Sequence, residues 1–295
     1  MWLKIARIAS DDQNSRISYI LINNHGQAIT LRELKEQTRV DLPEDPIDIL
    51  SGELVYEFER TLPALKFRQE LKQFSLSFPI PNPPKLIFLN FNYKDQSGWL
   101  RFGRTTPHEP VFYLKPHTCL TGPYDDIRCP TFVTQLDFEG EMGFVICKKC
   151  KNLSENDAIF AVGGYFAMND VSARDIQYTD IQVSRSKCFD TFAPCGPWIT
   201  TRSEIPDPNN LRICTKVNGE TRQDSSTANM VLRVEEIISK LSKVMTLEPG
   251  DIISTGTPMG TILSSGGKKP WLSDGDVVEV EIEKVGAIKN TISFE

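Results

Sequence analysis

Residues 134–146, TQLDFEGEMGFVI, decide the fold of this chain, because they lead an acidic run directly into an apolar strand. Asp137, Glu139 and Glu141 occupy alternate positions, and a strand turns alternate side chains to the same face. We therefore expect the three carboxylates on one side, with the continuation through Ile146 in the core. Carboxylates this close repel one another, and burial raises the cost unless a cation compensates. The stretch predicts a site for a hard divalent ion such as Mg2+, Mn2+ or Ca2+, the alternative being a solvated strand face.

The composition is that of a chain able to bury a large core, since 40% of its 295 residues are hydrophobic and 24% are charged. A net charge of −6 argues against a general affinity for nucleic acid or for an anionic membrane surface. The sequence has no apolar run long enough to cross a bilayer, and the first residues lack the apolar segment of a signal peptide. We therefore expect a cytoplasmic protein.

The seven cysteines are an odd number scattered between Cys119 and Cys214, which favours reduced thiols over a disulfide scaffold. Cys147 and Cys150 form a single CxxC with no second pair at zinc spacing. We interpret this CxxC as a strand end running into a turn. The sequence contains only three histidines, which weighs against a histidine-rich metal site.

The first part of the chain predicts a small N-terminal α/β domain, residues 1–80. It combines short strand-like runs with helical stretches at 31–38 and 57–74. Four prolines between positions 79 and 84 make a stiff, extended connector, which is the best candidate for a domain boundary. We expect residues 81–295 to form the second, larger domain, which carries the candidate functional residues.

The pattern of this second domain is that of a strand-rich α+β protein. The apolar run Leu86–Asn90 predicts a strand, and the polar segment 92–110 that follows it is interpreted as a mobile loop or lid. Short strands predominate after that, interrupted by two helical stretches, 154–168 and 229–244. The sequence lacks the alternating βαβ rhythm and the glycine-rich phosphate signatures.

Three later segments could carry chemistry. Asp170, in the run NDVSARD after the first of these predicted helices, could complete a cation site begun by the Glu-x-Glu strand. Lys187 could face an anionic substrate, although a surface charge is the ordinary interpretation of a lysine. Gly256, beside Thr257 in the run TGTP, could let the backbone approach a ligand closely. The hydroxyls and backbone amides of this run could then bind an oxyanion of the ligand.

Taken in order, LDFEGEMGFVI, GYFAMNDVSARDIQ, RSKCFDTFAPCGPWI, MTLEPGDIISTGTPMG and LSDGDVVEVEIEKVG closely resemble the fumarylacetoacetate hydrolase family. The resemblance runs from about residue 85 to the C-terminus. It implies a mixed β-sheet roll, usually dimeric, with Mg2+ or a similar ion held by carboxylates in an open pocket. We therefore expect a homodimer that acts on a small keto acid, with neither nucleic acid nor membrane as a partner.

The resemblance also implies roles for individual residues. Glu139 and Glu141 match the E-x-E metal ligands of the family, and Asp170 matches the third ligand, whereas Asp137 matches a residue that relatives more often use structurally. Lys187 matches the active-site lysine. The residues that match substrate-binding positions are Gln177, Thr191 and Thr257.

The chain departs from the family in the lid-like segment 92–110. Many relatives carry there a His–Glu pair that activates water, but Gln96 and Trp99 stand at those two positions. Gln96, the catalytic candidate in this segment, can position a water by hydrogen bonds but cannot accept its proton. His108, His117 and Asp95 are the remaining candidates for a base, with loop or structural roles as the alternative.

The function predicted first is therefore metal-dependent hydrolysis of a C–C bond in a β-diketo or 2-oxo acid, such as an acylpyruvate, through a metal-bound enolate. Decarboxylation or tautomerisation of a 2-oxo acid is the alternative, because the His–Glu pair is missing and neither reaction needs an activated water. A third hypothesis is a non-catalytic binding protein that keeps the metal. The joint presence of three acidic ligands and Lys187 argues against that hypothesis.

Overall fold

The computed structural model describes residues 4–9, 18–39, 43, 45–51, 65–95, 108–266 and 268–295. Most of the lid-like segment, including Gln96 and Trp99, lies outside these ranges, so its assignment stays a prediction. None of the described helices is long and apolar enough to span a membrane.

Strands account for most of the regular structure in the described ranges. In chain order they are β1 Lys4–Ile8, β2 Ser18–Ile22, β3 Gln27–Thr30, β4 Gln69–Glu70, β5 Leu76–Ser77, β6 Leu86–Asn90, β7 Val111–Lys115, β8 Leu120–Thr121, β9 Ile127–Cys129, β10 Leu136–Asp137, β11 Gly140–Ile146, β12 Val162–Asn169, β13 Ser172–Ala173, β14 Ala193–Thr201, β15 Arg212–Val217, β16 Glu220–Ser226, β17 Ile252–Ser254, β18 Val277–Ile282 and β19 Gly286–Phe294.

The helices are short by comparison. The α-helices are α1 Leu31–Thr38, α2 Pro46–Ser51, α3 Glu155–Ala158, α4 Arg174–Thr179, α5 Ser184–Lys187 and α6 Val234–Val244. The 3-10 turns are Leu71–Gln73, His117–Cys119, Ile159–Ala161, Arg202–Glu204, Thr227–Asn229 and Leu263–Ser265.

Two sheets enclose the main core. The larger sheet has the order β4-β3-β2-β1-β14-β12-β11-β17-β6-β7, with β5 beside β1 and β8 beside β14. It is mixed, since β17 pairs with β6 and β14 with β8 in parallel while the other pairs are antiparallel. The smaller sheet, β16-β15-β18-β19-β9, packs its middle strands against β11, β12 and β14. This arrangement confirms the predicted strand-rich α+β fold with a mixed β-sheet roll.

The acidic stretch lies at the centre of this roll. Every residue of β11 is buried, because β12 and β17 flank it in the sheet and the smaller sheet covers it. Gly140 pairs with Asn169 across β11 and β12, which places Glu139 and Asp170, the next residues outward, beside each other. The strand register therefore brings residues about thirty positions apart into one site.

The N-terminal strands extend the larger sheet. Lys4 and Ile5 of β1 pair with Thr200 and Ile199 of β14, so hydrogen bonds cross from the predicted small domain into the predicted catalytic domain. The boundary at residue 80 stays a prediction about independent folding.

The helix predicted over 154–168 is wrong for most of its length. Ser154 does cap a helix, since its side chain accepts a hydrogen bond from the Asp157 N–H, but α3 ends at Ala158 and the chain continues into β12. β12 is buried on both faces, and such a strand has a continuous apolar pattern that periodicity cannot separate from a helix. Only glycine fits at position 164 of this strand, because a Cβ there would lie 2.4 Å from the Thr200 carbonyl oxygen of the neighbouring strand.

The other predicted helices have mixed outcomes. The stretch 31–38 is helical and begins with a capping box between Thr30 and Glu33, and α6 confirms most of 229–244. The stretch 57–74 lies partly outside the described residues. Its described part, from residue 65, forms β4 and a 3-10 turn, because Gln69 and Glu70 pair with β3.

Candidate active site

Glu139 and Glu141 point into the site, while Gly140 between them faces the opposite side, where the packing leaves no room for a side chain. A Cβ on Gly140 would lie 2.0 Å from the Thr215 hydroxyl and 2.9 Å from the Gln223 side-chain oxygen. Glycine therefore lets β11 pack closely on β15 and β16. The strand is broken at 138–139, so Asp137 belongs to β10 and its side chain does not join the other two, contrary to the expectation of one shared face.

Asp170 reaches the two glutamates from the end of β12, not from the end of a helix as the sequence pattern suggested. Its N–H donates to the Glu139 carbonyl oxygen at 2.8 Å, and the Asn169 side-chain oxygen accepts from the Glu139 N–H at 3.0 Å. One carboxylate oxygen from each of Glu139, Glu141 and Asp170 lies within 4.8 Å of the others, and all three residues are buried.

Two buried lysines balance this acidic cluster. Lys187 Nζ lies 2.8 Å from a carboxylate oxygen of Glu139 and 2.8 Å from one of Asp170. Lys115 Nζ lies 2.6 Å from the other Asp170 oxygen and donates to the Phe192 carbonyl oxygen at 2.7 Å. The Tyr113 hydroxyl also donates to Asp170. Asp170 is thereby held in one orientation by three donors.

Arg174 links the cluster to Asp137. Its Nε donates to Asp137 at 2.9 Å, one terminal nitrogen to Glu139 at 2.5 Å and the other to the Gln177 side-chain oxygen at 2.9 Å. Asp137 also accepts from the backbone N–H groups of Ile262 and Leu263. The Asp137 carboxylate therefore anchors Arg174 and the loop after TGTP, as expected of a structural residue.

These contacts set the protonation of the cluster. Burial and the negative charges of Asp170 and Glu139 raise the pKa of Glu141 well above its ordinary value. Burial also works to raise the pKa of Asp170, but Lys115 and Lys187 outweigh it and hold that pKa at about 2. Burial works to lower the pKa of Lys187, but Asp170 and Glu139 outweigh it, so the lysine stays charged.

The acidic residues fit a divalent cation. The donors are all carboxylate oxygens, which suit hard ions. Within the part of the chain that the structure describes, Oε1 of Glu141 is buried and has no hydrogen-bond partner, while its other oxygen accepts from the Ser254 hydroxyl and the Gly256 N–H. A buried carboxylate oxygen without a donor costs free energy that a cation would recover. Glu139, Glu141 and Asp170 are thus the residues that could hold it.

The predicted substrate-binding residues lie at different distances from this cluster. Gln177 is half-buried and bonded to Arg174, one contact away from Glu139. Thr257 is buried behind the strand: its hydroxyl donates to the Gly140 carbonyl oxygen at 2.8 Å and accepts from Gln223. Thr191 has a φ of 67°, and its hydroxyl accepts from the Arg128 N–H at 2.8 Å. Substrate binding by the three stays a prediction.

Four residues that shape the site were not predicted from the sequence: Tyr113, Lys115, Arg174 and Gln223. Tyr113 and Lys115 are buried on one face of β7, while Leu114 between them is 47% exposed. The sequence signal for a buried lysine was its position on the same face as Tyr113 in a strand. Gln223 carries no such signal, because its side chain bonds to Gly140, Thr257 and Pro258, all distant in sequence.

Comparison with known proteins agrees with this geometry. A family model for the C-terminal domain of fumarylacetoacetate (FAA) hydrolase matches residues 85–293. A Xenopus laevis protein named oxaloacetate tautomerase fahd2 is 43% identical over 222 residues, which cover 74% of this chain and 68% of that protein.

Solved structures extend the likeness to the whole chain. The 2-hydroxyhepta-2,4-diene-1,7-dioate isomerase from Mycobacterium marinum is 33% identical with a TM-score of 0.75, and 99% of each chain is covered. The maleylpyruvate hydrolase from Sphingobium sp. SYK-6, solved with manganese(II) and pyruvate, is 30% identical with a TM-score of 0.77, again covering 99% of each chain. The chain therefore belongs to the fumarylacetoacetate hydrolase family of enzymes.

Proposed function

We propose that the chain is a metal-dependent tautomerase that interconverts the enol and keto forms of a 2-oxo dicarboxylic acid of the oxaloacetate class. The observation that carries this proposal is the position of Lys187. Its buried ammonium lies between two of the three carboxylates that could hold a metal, where it can exchange a proton with a substrate oxygen. Tautomerisation requires only such proton movement between carbon and oxygen.

The metal would be Mg2+ or Mn2+, held by Glu139, Glu141 and Asp170. When bound, the ion would act as a Lewis acid that withdraws negative charge from the oxygens of a 2-oxo acid. The structure of the Sphingobium relative with manganese(II) and pyruvate supports both the class of ion and the class of ligand.

The side chains around the acidic cluster supply the remaining interactions. Because its pKa is raised, Lys187 carries a proton at Nζ near neutral pH. In the keto-to-enol direction it can give this proton to the 2-oxo oxygen while the neighbouring carbon loses a proton to water, and in the enol-to-keto direction both transfers run in reverse. The Arg174 guanidinium has five N–H donors, of which three engage Asp137, Glu139 and Gln177. The names of two relatives, an oxaloacetate tautomerase and a 2-hydroxyhepta-2,4-diene-1,7-dioate isomerase, favour a dicarboxylic acid.

The proposal reverses the order of the two leading hypotheses drawn from the sequence. Hydrolysis needs a base for the attacking water, and Gln96 and Trp99 cannot serve as one. The side chains of His25, His108 and His117 are exposed, whereas the acidic cluster is buried. Tautomerisation has no attacking water and therefore needs no base to activate one.

The test combines substrates and variants. With Mg2+ or Mn2+ supplied, the enzyme should speed the enol-to-keto conversion of oxaloacetate, followed by loss of enol absorbance and by coupling to malate dehydrogenase, which takes the keto form. Lys187→Met should lower kcat by about 10²- to 10⁴-fold, since it removes the proton donor, while Lys187→Arg tests whether charge alone suffices. A conversion rate equal in wild type and Lys187→Met would refute the role of this lysine.

Hydrolysis of a C–C bond remains the second candidate, because the Sphingobium relative is named a maleylpyruvate hydrolase. Incubation with acylpyruvates and with fumarylpyruvate-like acids, and analysis of products by NMR, separates the two. Release of two acids at a kcat/KM above that for oxaloacetate conversion would favour hydrolysis over our proposal, and release of CO2 from oxaloacetate would favour decarboxylation.

A further inference from the structure

Two cysteines, Cys119 and Cys188, lie against each other beside Lys187. Cys119 ends the 3-10 turn His117–Cys119, and Cys188 directly follows Lys187 at the end of α5. Cys119 Sγ lies 3.9 Å from the Lys187 carbonyl oxygen, which belongs to the peptide bond joining Lys187 to Cys188. Cys188 Sγ lies 3.8 Å from the Leu114 carbonyl oxygen. The two segments therefore cross at these two side chains.

Backbone contacts hold the segments together on both sides of the crossing. The Thr191 N–H donates to the Thr118 carbonyl oxygen at 3.4 Å, and β8 pairs in parallel with β14 at Leu120 and Ala193. The proximity of the thiols is therefore a property of the folded sheet.

The two thiols differ in exposure and in acidity. Cys188 is half-buried, whereas Cys119 is completely buried. A hydrogen bond from the Cys119 thiol and, more weakly, the charge of Lys115 lower the pKa of Cys188 to about 7 against the opposing effect of burial. The same hydrogen bond and burial raise the pKa of Cys119. Cys188 is thus the accessible thiolate, and Cys119 the neighbour that can resolve its oxidation.

We propose that Cys188 and Cys119 form a peroxide-sensitive dithiol that closes to a disulfide and switches the enzyme off. In the first step the Cys188 thiolate attacks one oxygen of hydrogen peroxide, the O–O bond breaks, and with one proton taken up the products are a sulfenic acid and water. In the second step Cys119 attacks the sulfenic sulfur, the S–S bond forms, and the hydroxyl leaves as water with the Cys119 proton. Two thiols are oxidised, and one peroxide is reduced to two waters.

The effect on activity follows from the position of Lys187. A covalent bond between its chain neighbour and the turn at 117–119 pulls the Lys187 backbone towards that turn. Lys187 Nζ must reach both Glu139 and Asp170 at 2.8 Å, and an ångström of displacement at a reacting group can cost on the order of a hundredfold in rate. This effect on rate rests on the proposed function, whereas formation of the disulfide does not.

The experiment treats the purified full-length protein with hydrogen peroxide, alkylates the remaining thiols and maps them by mass spectrometry. We expect a Cys119–Cys188 cross-linked peptide and a fall in tautomerase activity on the order of a hundredfold. Dithiothreitol should remove the cross-link and restore the activity. Cys188→Ser should give no cross-link and keep its activity after peroxide. Cys119→Ala should instead leave a sulfenic acid on Cys188 that a dimedone probe captures. Cys214→Ser, a change at a buried thiol of β15, is the matched control and should cross-link like wild type.

Undiminished alkylation of Cys119 and Cys188 after peroxide, or a cross-link between other cysteines, would overturn the dithiol proposal. If the cross-link forms while the reduced enzyme converts none of the keto acids, the dithiol stands and the proposed function fails. If the cross-link forms and activity is unchanged, the switch is refuted although the thiol chemistry occurs.

Discussion

Changing Glu141 to glutamine should abolish the response of this protein to a divalent ion while leaving the fold intact. The glutamine amide keeps an oxygen that can accept from the Ser254 hydroxyl and the Gly256 N–H, as one carboxylate oxygen now does. Loss of the charge weakens these bonds by about 1 kcal/mol. Burial and, after it, repulsion from Asp170 and Glu139 raise the pKa of Glu141, and the loss of both unfavourable effects acts in the opposite direction. The free energy of unfolding without metal should therefore change by less than about 1 kcal/mol.

The response to metal should change much more. An ion at a hundred times its Kd stabilises the wild type by about 2.7 kcal/mol, on the order of 5 °C in Tm for a chain of this size. Removing one of three carboxylate ligands should weaken binding by about a hundredfold, or roughly 2.7 kcal/mol. At the same ion concentration the variant then gains only about 0.4 kcal/mol, about 1 °C.

Calorimetric titration with Mg2+ and Mn2+ measures the affinity of Glu141→Gln, and thermal unfolding with and without the ion measures its Tm. Glu281→Gln, on the exposed face of β18, is the control and should respond to metal like wild type. A binding isotherm for Glu141→Gln that matches wild type would refute the assignment of Glu141 as a ligand. A large fall in Tm without metal would show instead that the carboxylate supports the fold.

Two further predictions follow from the contacts of the site. Gln223→Leu leaves the buried Gly140 N–H and Pro258 carbonyl oxygen without their hydrogen-bond partner. The free energy of unfolding measured in urea should fall by roughly 2 to 4 kcal/mol, and metal binding should weaken. Unchanged stability would contradict the role of Gln223 in fixing the segment that carries Glu139 and Glu141. The pKa of Asp170 is lowered from 3.8 to about 2, so its carboxylate stabilises the fold above the unfolded-state pKa, and this contribution is lost as the pH falls through about 2. Stability measured on the acid side without metal should therefore fall by about 2 kcal/mol more in wild type than in Asp170→Asn, and parallel pH profiles would contradict this.

The sequence was most informative where structure depends on neighbours along the chain. The strand Leu86–Asn90 and the helix α6 follow from runs whose period or length is distinctive, and the capped helix α1 begins where Thr30 and Glu33 predict. The alternation of Glu139 and Glu141 pointed to a cation site for the same reason, because residues two positions apart in an extended chain share a face whatever lies across from them. The family was recognisable from the order of its motifs.

The rest was decided by contacts between distant parts of the chain. Residues 162–168 form a strand instead of a helix because β11 and β14 flank them. The Asp137 side chain does not lie beside those of Glu139 and Glu141 in the cluster because Arg174 and the loop at 262–263 bind it. Lys115 and Gln223 meet the site through residues dozens of positions away. Local periodicity is written in the sequence, but sheet register and the pairing of buried charges depend on the free energy of the whole fold, so only the tertiary structure determined them.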